Sequence, residues 1–129
     1  MRCWGGGSRQ VAVGKLGCAY SLRATGVTLT ITVMDLGVSA KATWDAMKEQ
    51  TARSNWLAGD EGGMGSAAFA ELIKRSADSS AGKCGFVAVK GANVFQIFVT
   101  DHADKEDIAG KKEMLEKLRP VAQKAIGRL

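Results

Sequence analysis

From residue 27 the chain alternates without a break: Val27, Leu29, Ile31 and Val33 are apolar, and Thr28, Thr30 and Thr32 stand between them. Period-two alternation among β-branched residues marks a half-buried antiparallel strand. The run Cys18–Leu22 precedes it, and Arg23-Ala24-Thr25-Gly26 is a short link ending in glycine, so residues 18–34 read as a hairpin. A second hairpin covers 84–100, as "CGFVAVK", the turn "GAN" and "VFQIFVT". In its second strand Phe95, Ile97 and Val99 take the core side, while Gln96, Phe98 and Thr100 face outward. Residues 10–13, "QVAV", suit a short edge strand.

Elsewhere the period lengthens. Ala40, Trp44, Met47 and Thr51 recur at helical spacing over 40–56, with charged residues on the rest of the cylinder and Ser39 placed to cap the N-terminus. Trp44 and Met47 are expected in the core. Gly59, Gly62, Gly63 and Gly65 follow closely, and such a cluster implies a backbone that needs positive φ. Phe69, Leu72, Ile73 and Ser76 predict a short helix capped by Ser66, with a strand through Phe69 as the alternative. The last stretch carries Ile108, Leu115, Leu118, Ala122, Ala125 and Leu129 on one stripe. Gly110 weakens its start, and Pro120 is expected to kink it or restart it near Arg119.

These elements define an α+β fold: an antiparallel sheet of four or five strands, built on two hairpins, with its apolar face covered by two or three helices. Length allows one domain, a loose segment over 1–9 followed by a single unit over 10–129. Both hairpins open on Gly-Lys and each precedes a helix, a plan compatible with internal duplication but not requiring it.

Composition narrows the function classes more than it selects one. The 129 residues are 46% hydrophobic and 24% charged, the balance of a soluble globular protein. A net charge of +5 is spread among acids, and only Lys74-Arg75 and Lys111-Lys112 are adjacent basic pairs, so no basic stripe for nucleic acid is expected. No run of 18 apolar residues predicts a transmembrane span, and no apolar leader follows Met1 and Arg2, which read literally gives a cytoplasmic protein.

Candidate chemistry is sparse. His102 is the one histidine, and with Asp101 and Asp104 it forms a polar loop that offers too few ligands for a metal without help from elsewhere. The plainer expectation is a loop capping the last helix, and neither metal nor cofactor is expected. The Gly62–Ser66 turn could cradle an anion ahead of a helix, but Asp60 and Glu61 beside it would repel one, so a structural turn is favoured. Three cysteines show no CxxC spacing. Cys18 and Cys84 each begin a strand, and hairpins packed side by side could bring them to bonding distance. The other reading is two small core residues, which is the usual fate of an unbridged cysteine.

A group of stretches does resemble a known family. Cys18-Ala19-Tyr20, "VTLTITV", "GMGSAAF" (63–69), "VAVKGANVFQIFV" and the tail "LRPVAQKAIGRL" are similar to small exported bacterial lipoprotein domains, in the same order over about 11–129. None of these motifs is catalytic. Ser66 stands where that family usually has Asp, residues 70–83 look like an insertion, and the lipid-anchored leader and first helix are missing. The start "WGGGSRQVAVGKLGCAYSL" then reads as the end of that first helix running into its first strand, in a copy truncated, mis-started or without its export signal. The resemblance implies a PsbP-like α/β sandwich, an envelope or periplasmic setting, and binding of an unknown small molecule or protein without catalysis. The candidate surface is the outward strand face with Thr28, Thr30, Thr32, Gln96 and Phe98. One alternative is self-association, as a homodimer, through an edge strand at 10–13 or 94–100. The other is a small enzyme working through Asp101, His102 and Asp104.

Overall fold

The computed structural model describes residues 9–13, 17–24, 27–54, 56–73, 82–101 and 108–128. In chain order these form β1 (Arg9–Val13), β2 (Gly17–Ala24), β3 (Val27–Asp35), α1 (Ala40–Arg53), β4 (Leu57–Glu61), β5 (Ala67–Ile73), β6 (Gly82–Lys90), β7 (Asn93–Asp101) and α2 (Ile108–Gly127). The two expected hairpins are β2–β3 and β6–β7, and they meet through their second strands. Val27 pairs with Asp101 at one end of that central ladder and Asp35 with Asn93 at the other. The tight β6–β7 turn needs a left-handed residue, and Gly91 supplies it at φ 58°.

Among the described residues seven strands form one sheet in the order β1-β2-β3-β7-β6-β5-β4, antiparallel throughout. The α+β class therefore stands. The sheet is wider than two hairpins and an edge strand, because β4 and β5 extend it beyond β6. Helix α1 carries the chain from the central β3 to the far edge at β4.

Where a short helix was expected over 66–76, the described part, Ala67–Ile73, is a strand instead, and residues 74–76 lie outside the described residues. β5 lies between β4 and β6, where Ala68, Phe69, Ala70 and Glu71 are all buried. A strand covered on both faces loses the apolar–polar alternation that would have announced it. Ser66 caps no helix; its backbone N–H donates to Val89 O at 2.8 Å. The glycine cluster does adopt positive φ, at Gly59 (137°), Gly63 (74°) and Gly65 (59°). A side chain at Gly65 would come within 2.6 Å of Val89 O, so the turn packs directly on β6.

The helices cover opposite faces of the sheet, not a single apolar face. On one side Leu115, Leu118, Ala122 and Ile126 of α2 pack on Ala68, Ala70, Cys84, Phe86, Ala88, Phe95 and Ile97. On the other, Ala40 and Trp44 of α1 pack on Phe69, Val87, Val89 and Val94. Alternate residues of one strand thus serve two cores: Phe86 and Ala88 belong to α2, Val87 and Val89 to α1. Trp44 and Met47 take the inward positions expected of them, buried and half-buried.

Helix ends show two further differences. Ser39 makes no side-chain capping bond; the chain enters α1 through a single 3-10 turn at Gly37–Ser39, where Asp35 Oδ1 accepts from Gly37 N at 3.2 Å. α2 runs through Pro120 without a restart. The proline is exposed. On the inner stripe Ile126 takes a core place that the sequence pattern did not assign. Residues 1–8 and Leu129 lie outside the described residues, and Arg9 belongs to β1.

Candidate functional site

The face carrying Thr28, Thr30, Thr32, Gln96 and Phe98 is a coherent surface. Across the β3–β7 ladder Thr28 pairs with Thr100, Thr30 with Phe98 and Thr32 with Gln96. All five candidate residues are half-buried, not open to solvent. This is the α1 side of the sheet: Phe98 packs against the cluster around Trp44, and Gln96 Nε2 points to Met47 Sδ at 4.0 Å. Phe98 lies opposite Gly85 on β6, and a Cβ at Gly85 would sit 2.5 Å from Phe98 Cδ1. The missing side chain is what leaves room for the ring. Lys83 Nζ then stands over the same ring, 5.2 Å from its centroid.

Met47 links this face to a pocket of about 150 Å³. Met47, Gln50, Thr51 and Ser54 of α1 form one wall; Trp56, just before β4, and Glu71 and Ile73 of β5 complete it. The local sequence explains each placement. Met47 and Thr51 are one helical turn apart, so they share the inner face of α1. Glu71 and Ile73 are two apart on a strand, so both point to the α1 side. Trp56 is held by its backbone, since Leu72 N donates to Trp56 O at 2.8 Å.

Glu71 is the unusual member. It is 6% exposed, in a run of alanine, phenylalanine and leucine. Burial pushes its carboxyl above the ordinary 4.5, opposed by the Thr51 hydrogen bond and by the charge of Lys83. Thr51 Oγ1 lies 2.8 Å from Met47 O and 3.2 Å from Glu71 Oε2. A hydroxyl has one hydrogen, and a carbonyl can only accept. With Glu71 protonated, the acid donates to Thr51 and Thr51 donates to Met47 O. With Glu71 ionised, the hydroxyl must turn to the carboxylate and give up the helix carbonyl.

The opposite face holds an anchor. Arg119 of α2 donates to Glu61 at the end of β4 through two nitrogens, Nε at 3.0 Å and Nη2 at 2.8 Å. It also pairs with Glu116 and stacks 5.8 Å from the Phe86 ring centroid. These carboxylates raise the guanidinium pKa further, so its charge is permanent. Lys90 Nζ donates to Ile126 O at 3.2 Å, near the end of α2.

Several expectations meet the ladder directly. Cys18 pairs with Val33 on β3, and Cys84 with Val99 on β7, so the two cysteines lie on strands separated by two others. At about 4.8 Å per strand their backbones stand roughly 14 Å apart or more, well beyond disulfide reach. A Cys18–Cys84 bond within one chain does not fit this sheet. Residues 94–100 lie in β7, which is paired on both sides, so they offer no edge; β1 and β4 are the edges. The Gly62–Ser66 turn leads into a strand, which removes the helix N-terminus that an anion cradle needed. Asp101 ends β7, whereas His102 and Asp104 lie outside the described residues. Among the described residues no three His, Cys, Asp or Glu side chains gather as a metal site, and no helix is long and apolar enough to cross a membrane.

Comparison of the chain with protein-family models, with curated proteins and with solved structures finds no match. Fold and pocket define a class by themselves: an α+β domain whose antiparallel sheet is sandwiched between two helices, with a carboxyl group buried in a small pocket under one of them.

Sequence reasoning found the Gln96/Phe98 side of this region and missed Glu71. The signal was present as a lone carboxylate inside "AAFAELI". Read as a helix, that glutamate falls on a solvent face; read as a strand, it points under α1.

Proposed function

We propose that this chain is a non-catalytic binding domain of the bacterial envelope lipoprotein type, seating a small ligand between α1 and β5. The observation that supports the reading is the pocket itself, with apolar walls from Met47, Trp56 and Ile73 and a buried carboxyl in its lining. Binding pockets are commonly apolar cavities with a few polar groups that fix orientation. At about 150 Å³ this one is small, so the ligand is a compact molecule or the end of a longer one. The half-buried strip of Thr30, Thr32, Gln96 and Phe98 offers further contacts along the same face. The envelope setting and the PsbP-like relationship rest on the resemblance of the sequence motifs, none of which carries catalytic residues.

The test is a two-dimensional amide NMR screen of the full chain against a library of small fragments. The proposal predicts binders that shift Thr51, Trp56, Glu71 and Ile73 together. A screen whose binders shift only residues of the α2 face would contradict it.

A further inference from the structure

The chemistry of the pocket selects among small ligands. Among the described residues Glu71 is the one ionisable group in its lining, and the Glu71 side chain is almost wholly removed from solvent. An anionic ligand would be placed beside this carboxylate in a low-dielectric setting, where like charges repel most strongly. A wholly apolar ligand would bury the carboxyl further and leave its acceptor capacity unused. An ammonium group does neither, since it supplies charge-assisted donors to the acid. The remaining lining sorts the rest of the ligand. Met47 and Ile73 give aliphatic walls and Trp56 an aromatic one, which suits an unbranched hydrocarbon stem. Lys83, whose charge acts on Glu71, is absent from the lining, and its ammonium stands over Phe98.

We infer that the pocket between α1 and β5 binds a primary alkylammonium group, with its charge on Glu71 and its stem against Met47, Trp56 and Ile73. This deepens the proposed function and rests on the pocket being a ligand seat. In the occupied site Thr51 can keep its hydrogen on Met47 O, because the ammonium takes over as donor to the carboxylate. Gln50 and Ser54 add polar side chains to the same lining.

The experiment compares two probes of nearly equal shape on the full chain, n-butylammonium chloride and n-butanol, at matched ionic strength. Affinities come from amide shifts of Thr51, Trp56, Glu71 and Ile73. The inference predicts that the ammonium binds at least about tenfold more tightly than the alcohol, as one charged hydrogen bond implies. Glu71→Gln, which keeps the shape of the buried group, should abolish that preference. Equal affinity of the two probes overturns the inference and leaves the pocket as a ligand seat for uncharged molecules. A preference that survives Glu71→Gln overturns it as well, since the charge would be read elsewhere. If neither probe moves those amides, the inference and the pocket reading fall together. The wild-type comparison decides the matter even if the variant does not fold.

Discussion

Gly85 shows how much one missing side chain can set. A Cβ there would lie 2.0 Å from Ile97 O and 2.5 Å from Phe98 Cδ1. The first of these is backbone in the middle of the β6–β7 ladder and cannot step aside. Gly85→Ala is therefore expected to destabilise the fold by at least the ~1–3 kcal/mol typical of overpacking, read as a lower midpoint in urea unfolding. An unchanged midpoint would mean that the ring and ladder are looser than described. Trp44 makes the complementary case of a side chain with two functions. Its Nε1 donates to Val87 O at 3.0 Å, while its ring tilts against Phe69 with centroids 5.6 Å apart. Trp44→Phe keeps most of the apolar contact and loses the donor, for an expected loss of about 0.5–1.5 kcal/mol. Trp44→Ala also empties the space, for about 3–5 kcal/mol. Similar losses from both variants in urea denaturation would show that the hydrogen bond, not the packing, holds the helix down.

At the level of elements, legibility followed pattern and punctuation. β2–β3 was readable because Thr28, Thr30 and Thr32 keep their period of two, β6–β7 because the turn "GAN" parts two short runs rich in valine and phenylalanine, and α1 because Ala40, Trp44 and Thr51 keep the helical period. β5 was not readable as a strand, since Ala68 to Glu71 are buried in succession and their small apolar residues mimic a helix. β4 is five residues with a glycine and two acids, bulged between Leu57 and Gly59, and carries almost no pattern. The pocket was hidden for the same reason, since it exists only once β5 is a strand under α1. The far end of the sheet depends on how α2 holds it. Arg119 bridges to Glu61 with 29% and 14% of the two side chains exposed. A double-mutant cycle with Arg119→Ala and Glu61→Ala should give a coupling above the ~1 kcal/mol ceiling of open surface pairs. A coupling near zero would remove the pair as an anchor of β4. Pro120 acts in the other direction, inside α2 but exposed. Pro120→Ala should raise stability, by up to about 3 kcal/mol, visible as a higher thermal midpoint; a lower one would mean that the ring contributes packing.

The whole molecule is needed to make Glu71 what it is. Thr51 comes from α1, Trp56 from the approach to β4, Glu71 from β5 and Lys83 from β6, and only the assembled sandwich puts burial, hydrogen bond and charge around one carboxyl. Burial is the largest of the three effects and raises its pKa above 4.5. In the unfolded chain the same group titrates near its ordinary value, so between the two values the folded protein holds a proton that the unfolded chain has released. Folding stability must then fall as pH rises through that window, and it stays at the lower level above it. Glu71→Gln removes this decline. Urea unfolding of both proteins should show the variant gaining on the wild type as pH rises from about 4.5; a difference independent of pH would leave Glu71 without its burial effect. The most direct measurement is the carbon-13 titration of the Glu71 carboxyl in the folded chain. The account predicts a midpoint clearly above 4.5, returning to that value on unfolding. A midpoint at or below 4.5 in the folded protein would contradict it, because the carboxyl would then be solvated or paired and not the buried centre of a pocket.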